Sequence, residues 1–383
     1  MTPRGRVCAA LNHEEPDRVP LDLGGINSSL MLETYDNLKR KLGLDKTPTQ
    51  LLSKTWQIAK TDEAILERLA VDIRYIFPEV RPGAGTAPGH TVTEPPHEDS
   101  FTDEWGIVRR FVKHYYEMER HPLKEADRLE DIEAYPWPEP RDYFVFEGLS
   151  HRARKLRETT DYAVGGYMGG GSLFEQAWYL RGYPELLIDF MVNKDFAHAL
   201  LSKIVAVRKK NAEQYLGEVG QYLDVFQIGD DIATQEGPAM SPELYREMLK
   251  PYHAELFQYI KERTSAKLYF HSCGGITPLI DDLIEIGVDA LNPIQVSAKG
   301  MDTAGLKERF GKRLVFWGAI DSLHALPFGS PEDVRAEVRQ RISDLGTGGG
   351  YILSGVHNLQ PDISPENILA MYDEGMRFGK YPL

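Results

Sequence analysis

The chain has 383 residues, with 44 lysines and arginines against 58 acids, a net charge of −14 and a pI near 5.3. It lacks any basic run interleaved with aromatics, which argues against sustained nucleic-acid binding, and no apolar run approaches the ~18 residues of a membrane span. At 42% hydrophobic and 27% charged residues it has ample material for a folded core, and the opening MTPRGRVCAALNHEEPDRVP holds no signal-length apolar stretch, so a cytoplasmic location is expected.

In chain order, short β-type runs recur with helical patterns between most of them, the mark of βα units and a parallel sheet. The runs are RVPLDL (18–23), VDIRYI (71–76), YAVGGY (162–167), YLDVFQI (222–228), KLYFHS (267–272), VDALNP (288–293), RLVFWG (313–318) and YILSG (351–355). Eight strands with helical crossovers predict a (β/α)8 TIM barrel in one domain spanning 1–383, the runs after 160 being the better defined. Residues 77–141, rich in proline, glycine and alternating β-formers, break the rhythm and are expected to form an inserted β-rich region overhanging one face. Helices are expected over 184–216, over 277–287 capped by Thr277 and Gly287, and over 330–346 capped by Ser330 and Gly346. A further helix starts at Ser241 and Pro242.

Side chains at the C-terminal ends of barrel strands converge on the mouth. This rule selects Asp22, Asp72, Tyr167, Glu175, Asp230, Asp231, His271, Cys273, Asn292, Asp321 and His357. In FHSCGG (270–275), His271 and Cys273 project to one side of an extended chain, and the glycines that follow permit a sharp turn. The spacing suits zinc and is weakly specific, because a catalytic zinc needs a third protein ligand. His357, in GVHNLQPD after the last strand run, is the best-placed third donor; a hydrogen-bonded rim histidine is the plainer reading of the same residue. Cys8 and Cys273, the two cysteines, read as free thiols.

The glycine loop of YMGGGSLFEQ (167–176) precedes a helix, so its amides could cradle an anion. It fits neither the dinucleotide nor the P-loop pattern, since no lysine follows the glycines; a tight turn giving a ligand access is the other reading. Glu175 offers itself as a fourth ligand, an acid or a helix-dipole partner. Asp230 and Asp231 end a strand run, and as neighbours they point in different directions, so one of the two is expected to face the site. Asp321 in FWGAIDS is similar.

FHSCGG, GDDIATQEGPAMSPELYREMLKPY, FWGAID and GGYILSGVHNLQPDISPENI, in that order, resemble the uroporphyrinogen decarboxylase superfamily from about residue 160 onward. The resemblance implies a (β/α)8 barrel and one of two functional branches. The decarboxylase branch keeps an arginine-bearing segment after the first strand, where this chain reads PLDLGGINSSL without an arginine; Asp72 falls where decarboxylases keep an aspartate. The zinc-dependent, corrinoid-linked methyltransferase branch carries His-x-Cys after a strand and a cysteine four residues before a proline. His271 and Cys273 match the pair, and His357 stands four residues before Pro361 in place of that cysteine, as a histidine does in the decarboxylases.

One thiolate and two imidazoles leave zinc more positive than two thiolates and one imidazole would, and so a stronger Lewis acid toward an ether or alcohol oxygen. A carboxylate fourth ligand such as Glu175 would remove that excess. The expectation is a zinc-dependent, O-demethylase-like methyltransferase with His271, Cys273 and His357 as metal ligands and Asp230 or Asp231 positioning or protonating substrate. Asp72, Tyr167, Glu175, Asn292 and Asp321 are the expected substrate-binding residues. No D-x-H-x-x-G corrinoid motif is present, DSLHALPFG (321–329) having the wrong spacing, so cobalamin is expected on a separate corrinoid protein. The alternatives are a metal-independent decarboxylase or lyase acting on another acid, and a non-catalytic corrinoid or tetrapyrrole binding protein. The sequence leaves the methyl donor and the oligomeric state open, a homo-oligomer included.

Overall fold

Seven parallel strands build the central sheet of the computed structural model, which describes residues 1–81 and 99–383. Their spatial order is Tyr351–Gly355, Val315–Ile320, Ala290–Asn292, Lys267–His271, Val225–Gly229, Ala163–Tyr167 and Ile73–Ile76. Each falls within or against one of the last seven runs read from the sequence. The first run behaves differently. Its backbone bonds to both edges of the sheet: Asp22 N–H donates to Leu353 O at 3.0 Å and Leu353 N–H to Pro20 O at 2.9 Å, while Asp72 N–H donates to Leu21 O at 2.9 Å. Residues 18–23 thus bridge the two edges and complete a TIM-barrel-like ring. Pro20 has no N–H to give, so the ladder there is broken into isolated bridges rather than a regular strand.

The helices lie outside the ring. Pro331–Leu345 begins at Ser330, whose hydroxyl accepts from Asp333 N–H while Asp333 answers at Ser330 N–H, and it buries Val334, Val338, Ile342 and Leu345 along one stripe. Ser241 caps Pro242–Met248 with its hydroxyl alone, which accepts from Leu244 N–H at 3.2 Å. The helix expected over 184–216 is two, Tyr183–Val192 and Lys194–Val219, broken at Asn193 where φ and ψ are −133° and 54°. Thr277 opens a short 3-10 turn before the helix Ile280–Glu285, and its hydroxyl donates to Gly300 O at 2.7 Å instead of capping.

Inside the ring, Ile73, Ala163, Val225, Tyr269, Ala290, Val315, Trp317 and Ile352 form one apolar layer. Val7, Ala10 and Leu11 of the helix Pro3–Leu11 join it. These residues lie toward the strand starts, so the layer floors the barrel and leaves polar chemistry to the other end.

The expected insertion is β-rich where it is described. Ser100–Thr102, Val108–Val112 and Tyr115–Arg120 make a three-stranded antiparallel sheet, and Glu79–Val80 pairs with Phe144–Val145. The part of that expectation covering 82–98 lies outside the described residues. A hairpin of Gln50–Ser53 and Ile58–Lys60, which the sequence reading did not anticipate, meets the insertion through Tyr116 N–H donating to Thr55 O at 2.9 Å. Cys8 and Cys273 are both free.

Candidate active site and metal centre

The mouth of the barrel holds a cavity of about 300 Å³ lined by Tyr167, Gly169–Gly171, Glu175, Asp231, His271 and His357 from strand ends and their loops. Glu104, Trp105 and Arg109 of the insertion also line it, so the insertion does cover one side.

His271 ends Lys267–His271 and is only 6% exposed. Its Nδ1 lies 2.6 Å from Asn292 Oδ1. The Asn292 amide is oriented from its other end, because Nδ2 donates to Trp317 O at 3.3 Å. Its oxygen therefore faces His271, the proton belongs on Nδ1, and the Nε2 lone pair is free to bind a cation. Nε2 stands 3.6 Å from Cys273 Sγ, and the His271 and His357 rings are 5.5 Å apart. The donor atoms of His271, Cys273 and His357 all lie within 4.8 Å of one another, a group able to hold a metal ion. Burial, and for His357 also the neighbouring His271, lowers both imidazoles to about 4, so both are neutral ligands at neutral pH. Burial, then Asp231 and Glu175, pushes the Cys273 thiol well up; a cation among these donors reverses that balance and favours the thiolate.

Asp231 Oδ1 accepts from Cys273 N–H at 2.8 Å and stands 3.8 Å from His271 Nε2. Glu175 Oε1 accepts from Tyr179 O–H at 2.6 Å and Oε2 from Asp231 N–H at 3.2 Å. Burial, with Asp231 and Asp230 beside it, raises Glu175 to about 8, so it is mostly a neutral acid at pH 7.

Five expected residues stand elsewhere. Asp22 is fully buried and accepts from Ser28 Oγ at 2.6 Å, Tyr75 O–H at 2.9 Å and Trp317 Nε1 at 2.9 Å. Asp230 is fully buried and turned away from the cavity: its carboxylate accepts from Leu173, Phe174 and Glu175 N–H at 2.7–2.9 Å and lies 2.9 Å from His253 Nε2. The anion cradled by the amides after the glycine loop is thus Asp230 itself, and Asp231 is the one of the pair that lines the cavity. Asp72 precedes its strand and so sits at the floor of the barrel, not its mouth. It accepts from Arg6 Nη1 at 2.6 Å, Arg18 Nη1 at 2.8 Å and Leu21 N–H at 2.8 Å. Asp321 folds back onto its own turn, bonding Leu323 N–H at 2.9 Å and His324 Nδ1 at 3.0 Å. Asn292 supports His271 and does not line the cavity.

The sequence reading passed over Arg208, Gln176, Glu104 and Trp105. Arg208 left a signal: in Lys194–Val219 it lies in register with Ile204 and Ala212 on the buried stripe, an unusual place for a charge.

Fold and site together define a TIM-barrel-like protein with a His/Cys/His group at its mouth that is able to hold a metal ion. The uroporphyrinogen decarboxylase (URO-D) family model matches residues 115–377, and the chain belongs to that family. It is 24% identical over 389 aligned residues to the uroporphyrinogen decarboxylase of Xanthomonas campestris pv. campestris (strain B100), covering 96% of each chain. It is 23% identical over 281 residues to that of Alkalilimnicola ehrlichii, covering 71% of this chain and 72% of the relative. Among solved structures, a methyltransferase from Methanosarcina mazei superposes with a TM-score of 0.67 over 99% of both chains at 17% identity, a likeness of fold.

Proposed function

We propose that the chain is a zinc-dependent methyltransferase that moves a methyl group from a small methoxy compound to a corrinoid carried by a separate protein, working as one 1–383 domain. The observation that carries the reading is the convergence of the His271, Cys273 and His357 donors within 4.8 Å at the cavity wall. A tetrahedral zinc takes nitrogen and thiolate donors and keeps a fourth position open when catalytic, and this donor set fits that ion. When bound there, zinc would supply Lewis acidity toward the ether oxygen, and the partner's corrinoid would accept the methyl group.

The chain's own residues do the rest. Asn292 holds the His271 ring and its tautomer. Asp231, anchored by Cys273 N–H, orients the substrate beside the triad. Glu175 carries a proton at neutral pH and delivers it to the oxygen left behind when the methyl departs, its carboxylate then retaining Tyr179 O–H and Asp231 N–H as partners. Tyr167 and Trp105 supply aromatic wall. On the other side of the triad, Cys273 and His357 border an open depression with Leu323 and the 79% exposed Phe328. That opening gives a corrinoid protein an approach separate from the substrate cavity.

The curated decarboxylase relatives favour a second reading, a decarboxylase. Against it, the segment after the first strand holds no arginine, and the arginines lining the cavity are Arg109, already paired with Asp103, and Arg208. That is little positive charge for a tetrapyrrole polycarboxylate. Metal analysis of the purified full chain, followed by assay of methyl ethers with free cob(I)alamin, tests the proposal. Stoichiometric zinc and ether-dependent methylation of cobalamin are expected; a metal-free protein indifferent to added zinc, or release of CO2 in place of methyl transfer, overturns it.

A further inference from the structure

We propose that the cavity takes a substrate bearing a carboxylate, seated against Arg208, with the reacting methoxy end toward His271 and His357. The identity of that reacting end rests on the methyl-transfer reading; the anion seat does not. Arg208 is 5% exposed and lines the cavity, yet its guanidinium meets only neutral acceptors: Ser172 O at 3.3 Å through Nε and Gln176 Oε1 at 2.8 Å through Nη2. Among the described residues no carboxylate oxygen forms an ion pair with it. The neighbouring acid Asp103 is committed, accepting from Arg109 Nε at 2.8 Å and from Trp105 and Ile107 N–H at 3.0 Å.

Two further donors on lining side chains find no acceptor. Gln176 Nε2 and Arg109 Nη1 are both buried and unpartnered among the described residues. The Gln176 amide cannot turn to hide this nitrogen without losing its bond to Arg208. A buried guanidinium that touches no carboxylate, with Glu104, Asp230 and Glu175 acting on it only through space, and two buried N–H groups without acceptors cost free energy in the empty protein. A carboxylate supplies acceptor oxygens and the missing charge at once.

The surroundings keep the guanidinium in place and available. Its Cζ lies 4.8 Å from the centre of the Trp105 ring. A side chain at Gly170, where φ is +150°, would bring its Cβ within 2.5 Å of Nη1, so glycine there leaves the group its room. Burial, then Asp103, raises Glu104 to about 7, so one of the acids that act on Arg208 is itself only partly ionised at neutral pH. The volume, about 300 Å³, is at the small end for ligand pockets, and with Trp105 and Tyr167 in the wall it suits a single ring bearing both groups.

The test is calorimetric binding to the full chain, zinc-loaded and zinc-free, of 4-methoxybenzoate and its uncharged counterpart 4-methoxybenzamide. The carboxylate is expected to bind at least tenfold tighter in both states. Arg208→Gln should reduce the preference to within about twofold and Arg208→Lys should keep part of it, thermal unfolding showing each variant folded. Gln176→Leu provides a second, milder loss that leaves the charge in place. Equal affinity for the amide overturns the proposal, as does a preference seen only with zinc, or one unchanged in Arg208→Gln. Displacement of 4-methoxybenzoate by inorganic phosphate at equal concentration also overturns it, assigning the seat to a phosphate ester. Retained carboxylate preference without methyl transfer supports the seat while sinking the methyl-transfer reading, and CO2 release from 4-methoxybenzoate counts against the assignment of the carboxylate to the seat.

Discussion

Asn292→Ala perturbs the proposed metal centre without touching a proposed ligand. Asn292 is fully buried, accepts from His271 Nδ1–H at 2.6 Å and is itself held by Trp317 O. Alanine leaves the buried Nδ1–H without its protein acceptor, a loss of about 1–3 kcal/mol. Two consequences follow for metal binding. The ring gains freedom that must be given up when Nε2 binds, and the tautomer with its proton on Nε2, which cannot bind, is no longer disfavoured. Loss of such a supporting partner costs about 10–100-fold in metal affinity, or roughly 1.4–2.7 kcal/mol. The assay is competition for zinc against a chromophoric chelator at pH 7.5, with thermal unfolding of the zinc-free proteins as the control for folding. A folded variant with zinc affinity within about threefold of the parent would refute the argument that Asn292 sets the His271 tautomer.

Asp72→Asn should lower stability by about 3–5 kcal/mol by leaving the buried Arg18 without its counter-ion at the barrel floor, while Arg6 keeps Asp17; denaturant unfolding reads this, and zinc stoichiometry should not change. Turnover limited by chemistry should fall as pH rises through about 8, because the proposed proton donor Glu175 holds its proton only below its raised pKa, and Glu175→Gln should lose that limb of the profile. Its carboxyl faces Asp231, Asp230, Tyr179, Tyr167, Arg208 and Cys273, so the limb reports this group in their company. The same raised pKa makes the folded state hold a proton that the unfolded chain releases, so Glu175's contribution to stability declines from about pH 4.5 to about pH 8 and is level above. His357→Cys should keep stoichiometric zinc with two thiolates and lower the rate on methyl ethers, since a less positive ion polarises oxygen less; an unchanged rate removes donor charge as the reason for the histidine.

The barrel was legible because its strands are short apolar runs with turn residues between them, and that pattern is local. The closing segment was legible as a run but not as a broken one; Pro20 interrupts the ladder through a missing N–H whose effect depends on which neighbours it meets. The convergence of His271, Cys273 and His357 was legible as a dyad plus a distant histidine, since the strand-end rule places His271 and His357 at one mouth whatever lies between them. Asp72 was misplaced by applying the rule to the wrong end: it is the second residue of the run 71–76 and precedes the strand Ile73–Ile76, so it stands a strand's length from the mouth. Alternation predicted that Asp230 and Asp231 part company. It could not say which one faces inward, since the answer depends on the amides of Leu173, Phe174 and Glu175, which another unit of the fold delivers.

Arg208 shows what a strand-end search leaves out. It sits inside a long helix, where mouth residues are not sought, and its meaning comes from partners contributed by the glycine loop and the insertion. The charge pattern still marked it, since an arginine on a buried stripe has to be answered by an anion, a run of neutral acceptors or a ligand. The chain supplies neutral acceptors and stops short of the anion, while Asp103 is tied to Arg109. The metal triad and the unanswered guanidinium are thus separate features of one cavity, the first suited to the reacting oxygen and the second to the far end of the molecule that carries it. Binding energy collected at Arg208 would act at a distance from the bond being broken, holding the methoxy group in line with the triad and lowering the entropic part of the barrel's task. On that reasoning an uncharged methyl ether lacking the carboxylate should lose kcat as well as affinity, and a loss confined to KM would show that the anion seat contributes uniform binding alone.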